Sequence, residues 1–126
     1  MDMTSPPAAA ADCLGVSEVL GRIGDKWTVQ VVVALHDRPR RFNDLKREIA
    51  GISQQMLTRT LKLLERDGML ERTVHPSAPP QVEYALSSLG RSLSQPLMQL
   101  AEWAIAHRDA VHESRVRYDA SQLRAR

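Results

Sequence analysis

Apolar residues recur along the chain at spacings that predict five helices and one β-hairpin. From Leu14 to Ile23 they lie three and four positions apart, which is the repeat of a helix with one buried face, and Gly24 ends the segment. A second helix is predicted from Asp25 to Leu35. Three consecutive valines within it favour a strand, but the apolar positions from Trp27 onward keep helical spacing.

The middle of the chain predicts two helices joined by a tight turn. Asn43 is expected to cap a short first helix that closes at Gly51, and Ser53 is expected to cap a second helix that ends at Asp67. Two helices with so short a connection cannot lie parallel. The buried side of the second helix is expected to carry Leu57, Leu61 and Leu64.

The last third of the chain predicts a hairpin and a long helix. The segments MLERTVH and QVEYALS alternate as strands around the proline-rich loop PSAPP. A helix is then predicted from a cap at Ser88 to Arg115, with a kink near Ser92 because Pro96 removes a backbone donor. At about 1.5 Å per residue this helix would extend roughly 40 Å, further than a small core reaches, so part of its apolar stripe is expected to meet a second copy of the chain.

Helix, turn, helix and hairpin in this order specify a winged helix-turn-helix. The predicted fold is therefore mainly α with a small β-hairpin wing, an α+β arrangement. We expect one domain over residues 13–118, preceded by a flexible arm at residues 1–12 and followed by a frayed tail at residues 119–126.

Composition and charge fit one folded domain with a basic middle. The 126 residues are 43% hydrophobic and 25% charged. The net charge is only +2, but residues 38–75 carry nine Lys or Arg against five Asp or Glu. The one cysteine, Cys13, cannot form an internal disulfide, and neither a signal peptide nor an apolar run of roughly 20 residues is visible. A cytoplasmic protein is expected.

The helix from Ser53 to Asp67 carries a polar face opposite its leucines, and such a face suits the major groove of double-stranded DNA. Amide and guanidinium groups can pair with base edges there. The polar face alone would also fit an ordinary solvated surface, but the order of the elements around it favours DNA. The residues of this helix that we expect at DNA are Ser53, Gln54, Gln55, Thr58, Arg59 and Lys62.

Further DNA contacts are expected from residues outside this helix. Arg40 and Arg41 stand beside the short helix and are expected to contact phosphates. Arg72 is expected at the minor groove or the backbone, while His75 and Gln81 flank the loop of the wing. His75 fits a solvated surface as well as it fits phosphate binding. A winged-helix module that binds a protein instead of DNA is the alternative function.

Enzyme activity, cofactors and metals are not expected. No Gly-rich phosphate loop or nucleophile motif occurs, and the four histidines and one cysteine lack the spacing of a metal site. The few aromatic residues occupy apolar-patterned positions, so a stacking platform for RNA or single strands is not expected either.

The runs IGDKW, RRFNDLKREIAGIS, LERDGMLERTV and VEYALSSLGRSL resemble the HxlR family of bacterial transcription regulators, a winged-helix group related to MarR proteins. The resemblance spans Cys13 to about Trp103. It implies a homodimeric repressor or activator on a palindromic operator, with Ser53–Asp67 as the DNA-reading helix and Arg72–Gln81 as the wing. It also implies a dimer interface built from the first and last helices, which includes Val16, Val19, Leu20, Leu97, Leu100, Trp103 and Ala104.

Cys13 is a candidate sensor by the same resemblance, because several family members sense oxidants, quinones or aldehydes through a cysteine near the start of the first helix. Asp12 would disfavour a thiolate, and no cation stands beside Cys13 in the sequence to favour one. A small, partly buried apolar residue is the alternative role for Cys13. With no second cysteine in the chain, a reacting Cys13 would form an intersubunit bond or a small-thiol adduct.

Overall fold

The structure is a computed structural model that describes the backbone of residues 13–125 and the side chains of residues 16–125. The predicted arm at residues 1–12 lies outside the described residues. The fold class predicted from sequence, mainly helical with a small antiparallel sheet, is confirmed. In chain order the elements are α1 (Cys13–Ile23), α2 (Lys26–Leu35), β1 (Arg40–Arg41), α3 (Phe42–Glu48), α4 (Gln54–Arg66), β2 (Leu70–His75), β3 (Gln81–Leu86) and α5 (Ser88–Arg124).

The core lies between the helices and the sheet. Val31 and Leu35 are buried together on α2, because positions four apart share one helix face. The three leucines predicted on the inner side of α4 are buried, so the amphipathic pattern of that helix is confirmed. The other buried apolar side chains are Val32, Leu45, Ile49, Ile52, Met69, Leu70, Leu86 and Leu97.

The sheet has three antiparallel strands in the order β1-β3-β2. The predicted hairpin is formed by β2 and β3, whose ends pair Leu70 with Leu86 and His75 with Gln81. The sequence pattern does not predict β1, which pairs with the middle of β3. A strand of two residues is too short to show an alternating pattern.

Two of the predicted helix caps are wrong. Because β1 leads directly into α3, that helix begins at Phe42 and Asn43 lies in its first turn instead of capping it. The cap of α5 is Ser87, one residue before the predicted Ser88, and its hydroxyl accepts a hydrogen bond from the Gly90 amide at 3.1 Å. Both errors are local shifts that leave the order of the helices unchanged.

The last helix, α5, is longer than predicted. It runs for 37 residues, roughly 55 Å at about 1.5 Å per residue, instead of ending near Arg115. The predicted fraying after residue 118 is therefore wrong, since the described residues remain helical to Arg124. Pro96 lies inside the helix, and the kink near Ser92 stays a prediction.

Leu97 belongs to the core of its own chain, which corrects its assignment to the dimer interface. Its side chain is only 4% exposed. Three residues advance a helix by about 300°, so Leu100 points about 60° away from Leu97 and is more than half exposed. One apolar stripe of α5 is thus divided between the core and the surface.

Candidate nucleic-acid interface

A tight turn between α3 and α4 sets the angle at which α4 leaves the core. Gly51 lies in this turn with φ +82°, a left-handed conformation that side chains disfavour. Ile49 and Ile52, on either side of it, are buried in the core and anchor the turn. The residues that precede α4 therefore hold the beginning of this helix in place.

Ser53 caps α4, as the sequence predicts. Its hydroxyl oxygen accepts a hydrogen bond from the Met56 amide at 3.0 Å and satisfies one of the free donors at the start of the helix. Ser53 itself is exposed. The side chain is thus engaged in the helix cap, and a role at DNA would have to be shared with it.

The polar side chains of α4 lie together on the face that points away from the core. Four of them are exposed, and Thr58 is half-buried at the edge of the face. Together with Leu63 they line a shallow depression of about 570 Å³ on the outer surface of the helix. The side chains brought together here are Gln54, Gln55, Thr58, Arg59 and Lys62.

A groove of about 500 Å³ separates α4 from the wing and joins residues of both. Arg72 on β2 lines this groove with Lys62 of α4, so the structure brings these two predicted residues together. Glu65 lines it as well, and it is an anion that the sequence pattern did not single out. Phe42 and Tyr84 contribute aromatic rings to the floor.

Arg40 and Arg41 have different surroundings although they are neighbours in sequence. The guanidinium of Arg40 pairs with Glu48 and, at 3.6 Å, with Asp37, and its side chain is only 12% exposed. Its Nε is buried without a hydrogen-bond partner among the described residues. Arg41 is exposed. Of the two predicted phosphate contacts, Arg40 is therefore disfavoured and Arg41 is retained.

The outer end of the wing carries His75 and Gln81 as cross-strand partners. His75 is exposed, and its Nε2 lies 3.1 Å from a carboxylate oxygen of Glu83 on the neighbouring strand. The negative charge of that carboxylate is unfavourable for a phosphate at this place. His75 therefore stays a prediction as a phosphate ligand, beside its other reading as a surface residue.

A second surface, made of apolar side chains, lies on α1 and α5. Val16, Val19 and Leu20 on α1 are each about half exposed, and so are Leu100 and Trp103 on α5. Ala104 is exposed next to them, and the Trp103 ring stacks on His107 with centroids 4.4 Å apart. Leu89 and Val111 belong to the apolar stripe predicted for α5 and are exposed as well. The sequence reasoning did not single out the remaining exposed apolar side chains of α5, which are Ile105, Val116, Tyr118 and Leu123.

Cys13 is the first residue of α1, and its side chain lies outside the described residues. Among the described residues, no group of three or more His, Cys, Asp or Glu side chains is placed to hold a metal ion. Within the same part of the chain, no helix combines the length and the apolar character needed to cross a bilayer.

Comparison with known proteins agrees with this architecture. The profile of the HxlR-like helix-turn-helix family matches residues 22–112. The uncharacterized HTH-type transcriptional regulator YtfH of Escherichia coli strain K12 is 44% identical over 86 residues, which are 68% of each chain. The solved structure of YtfH from Salmonella typhimurium has a TM-score of 0.74 and 40% identity, and it covers 79% of this chain and 89% of that one. The redox regulator HypR in its reduced form has a TM-score of 0.72 and 37% identity, with 79% and 98% covered.

The helix-turn-helix, the wing and the exposed polar face of α4 define a winged helix-turn-helix protein of the kind that regulates transcription. The chain belongs to the HxlR-like helix-turn-helix family. Its relatives are transcriptional regulators, so the protein is a regulator of this type and not an enzyme.

Proposed function

We propose that this protein is a homodimer that binds a palindromic operator in double-stranded DNA and thereby controls transcription. The observation that carries the proposal is the outward polar face of α4, held by a buried leucine face on one side and by a capped turn at its start. A recognition helix enters the major groove with its N-terminal residues foremost. Gln54 and Gln55 are the first two residues of α4 and are both exposed, so they are the proposed base-reading pair.

In this proposal the cations on and beside the polar face of α4 mainly bind phosphates. Arg59 and Lys62 continue the polar face along α4, Arg72 extends it into the groove beside the wing, and Arg41 stands on β1. Phosphate contacts fix the register of a protein on the duplex without reading sequence. Loss of one of them should weaken binding to all sequences alike.

The dimer is supported by the exposed apolar side chains of α1 and α5. Trp103 is 55% exposed and Val19 is 52% exposed, and large apolar groups in such numbers on two helices are typical of an interaction surface. A two-fold pair would present its two α4 helices to successive major grooves about 34 Å apart. The operator would accordingly have two inverted half-sites.

Arg59 provides the direct test of the DNA-binding face. An operator is first selected from random duplexes with the wild-type protein, and its affinity is then measured for Arg59→Ala. We expect affinity to fall roughly tenfold or more, because a charged contact to the duplex is lost. Arg108→Ala, which removes an exposed cation from α5, is the matched control and should bind like wild type. Equal affinities of Arg59→Ala and Arg108→Ala would remove Arg59 from the interface.

The alternative, a winged-helix module that binds a protein, makes a different prediction for salt. Duplex binding should weaken steeply as salt rises, because each neutralised phosphate releases counterions. Failure of the wild-type protein to enrich any duplex, at low salt as well as high salt, would favour the protein-binding alternative.

Response to oxidants or electrophiles through Cys13 is the finer part of the proposal. It is supported by the similarity to the redox regulator HypR and by the position of Cys13 at the start of α1. The test is to treat the DNA complex with a quinone or hypochlorite and to compare wild type with Cys13→Ser. We expect the wild type to lose or change DNA binding and Cys13→Ser to resist. Identical responses would contradict a sensor role for Cys13.

A further inference from the structure

The C-terminal end of α4 is fixed by a set of backbone hydrogen bonds that wrap around Gly68. Asp67 is the C-cap residue of α4, and Gly68 follows it with φ +80°. The amide of Gly68 donates to the Glu65 carbonyl at 3.0 Å, and the amide of Met69 donates to the Leu64 carbonyl at 2.9 Å. These are the paired bonds of a Schellman motif, which ends a helix sharply.

The start of α5 is joined to this same end of α4. The Ser87 hydroxyl donates to the Gly68 carbonyl at 2.6 Å, and the Ser87 amide donates to the Met69 carbonyl at 3.0 Å. Gly90 lies so close to Met69 that a side chain there would meet the Met69 backbone. The far end of the proposed recognition helix is therefore bonded directly to the helix that carries Trp103.

The first helix reaches the same point through one ion pair. Arg22 on α1 donates from Nε to Oδ2 of Asp67 at 2.9 Å, and both side chains are 31% exposed. A carboxylate at the C-terminal end of a helix is unfavourable, because the negative end of the helix dipole lies there. Asp before Gly is common in turns, so the residue type alone is ordinary here. The cation of Arg22 offsets the unfavourable interaction of the Asp67 carboxylate with the helix dipole.

This ion pair spans an open crevice instead of lying in a packed interface. The crevice has a volume of about 600 Å³ and lies between α1, the end of α4 and the start of α5. Val19, Met69 and Leu89 supply its apolar walls without filling it. Since the crevice is open, side-chain packing does little to fix α1 against α4, and among the described residues the Arg22–Asp67 pair is the ion pair that joins the two helices, although Glu18 and Arg66 also line the crevice.

We propose that Arg22 is a positioning residue that sets the orientation of α4 relative to α1. The inference rests on the proposed function, in which α1 and α5 meet a second copy and α4 reads DNA. In that arrangement the Arg22–Asp67 pair ties each α4 to the dimerising part of the molecule. Movement of α1 is transmitted to the end of α4, and the pair thereby controls the separation of the two recognition helices on the operator.

The test uses the full-length protein and an operator selected with the wild type. Arg22→Ala and Asp67→Asn should each lower operator affinity by about threefold, as expected for a partly exposed ion pair. They should also relax the preference between the selected half-site spacing and spacings one base pair longer or shorter. The double variant Arg22→Asp with Asp67→Arg restores the pair with its charges exchanged and should recover affinity and spacing preference. Arg108→Ala controls for the loss of one positive charge.

The outcomes separate this inference from the proposed function. If the wild type selects no operator, the proposed function fails and the pair has no DNA to act on. If the wild type binds and both single variants keep its affinity and spacing preference, the positioning role is wrong. Loss in the single variants without recovery in the exchanged pair would also overturn it, because a structural role alone then suffices. If Arg22→Ala fails to fold, Asp67→Asn decides the test, because it removes the charge of the same ion pair; Arg22→Lys keeps a cation at this position and should bind almost like wild type.

Discussion

At the scale of single residues, Gly90 is the described glycine whose added methyl group would come closest to backbone. A Cβ on Gly90 would overlap the carbonyl oxygen of Met69 and lie 3.1 Å from a methyl group of Leu86. Because backbone cannot move aside like a flexible side chain, Gly90→Ala should lower the free energy of unfolding by about 1–3 kcal/mol. Gly21→Ala is the matched control, since nothing lies within 4 Å of that position and the helix should gain up to about 1 kcal/mol. Chemical denaturation measures both, and a Gly90→Ala variant as stable as wild type would contradict the close approach.

Leu97 and Leu100 test the division of the α5 stripe between core and surface. Leu97 is buried with 4% exposure, so Leu97→Ala should cost about 2–5 kcal/mol of unfolding free energy. Leu100 is 55% exposed, so Leu100→Ala should cost much less in the folded chain and should instead weaken self-association. Denaturation measured at several protein concentrations distinguishes the two effects. Similar losses of stability in both variants at low concentration would place Leu100 in the core as well.

Residue roles were predictable from the sequence where they depend on near neighbours. Ser53 is predictable as a cap because its residue type and its place just before the helix are local features, and the prediction is confirmed by the hydrogen bond from the Met56 amide. Arg40 and Arg41 could not be told apart, because what separates them is the pairing of Arg40 with Glu48. The contact between Arg22 and Asp67 joins residues 45 positions apart, and no local pattern announces such a pair.

At the scale of elements, α4 was predictable almost to its ends and β1 was not predictable at all. The α4 pattern is local: a cap, a leucine on every turn and a closing Asp-Gly. β1 exists because two residues meet the middle of β3, and that meeting depends on the tertiary fold. Because β1 ends at Arg41, α3 begins at Phe42, and Asn43 therefore does not cap it. The predicted α5 is too short because the C-terminal half of the helix has few large apolar residues. That half contains no glycine or proline that would end the helix.

Pro96 lies inside α5 and opposes its helical structure. It lies within the helix, lacks a backbone donor and leaves the Ser92 carbonyl without its usual partner. Pro96→Ala restores the donor and removes the clash, so the predicted kink should be absent from the variant and the unfolding free energy should rise by up to about 3 kcal/mol. A solved structure of the variant would show the change in the helix axis at Ser92. If Pro96→Ala is less stable than wild type, Pro96 contributes to packing and the prediction fails.

At the scale of the whole molecule, the exposed stripe of α5 has to be covered in a stable dimer. Trp103→Glu places a charge in the middle of the proposed contact, and burying it unpaired is unfavourable, so the variant should be monomeric. Ile105→Glu is the matched control: Ile105 is also apolar and is 66% exposed, but two residues advance the helix by about 200° and place it on the other side of α5 from Trp103. Sedimentation velocity should show a monomer for Trp103→Glu and a dimer for Ile105→Glu. Two dimeric variants would move the contact away from Trp103.

The salt dependence of DNA binding then connects oligomeric state with the duplex. Each neutralised phosphate contributes about −0.9 to the slope of log affinity against log salt concentration. A dimer engages two half-sites with two copies of Arg41, Arg59 and Lys62, whereas the Trp103→Glu monomer engages only one. The salt slope of the Trp103→Glu monomer should therefore be about half that of wild type, while Ile105→Glu should keep the wild-type slope. An unchanged slope in a variant that sediments as a monomer would mean that one copy makes all the phosphate contacts, and the arrangement of two recognition helices on two half-sites would be wrong.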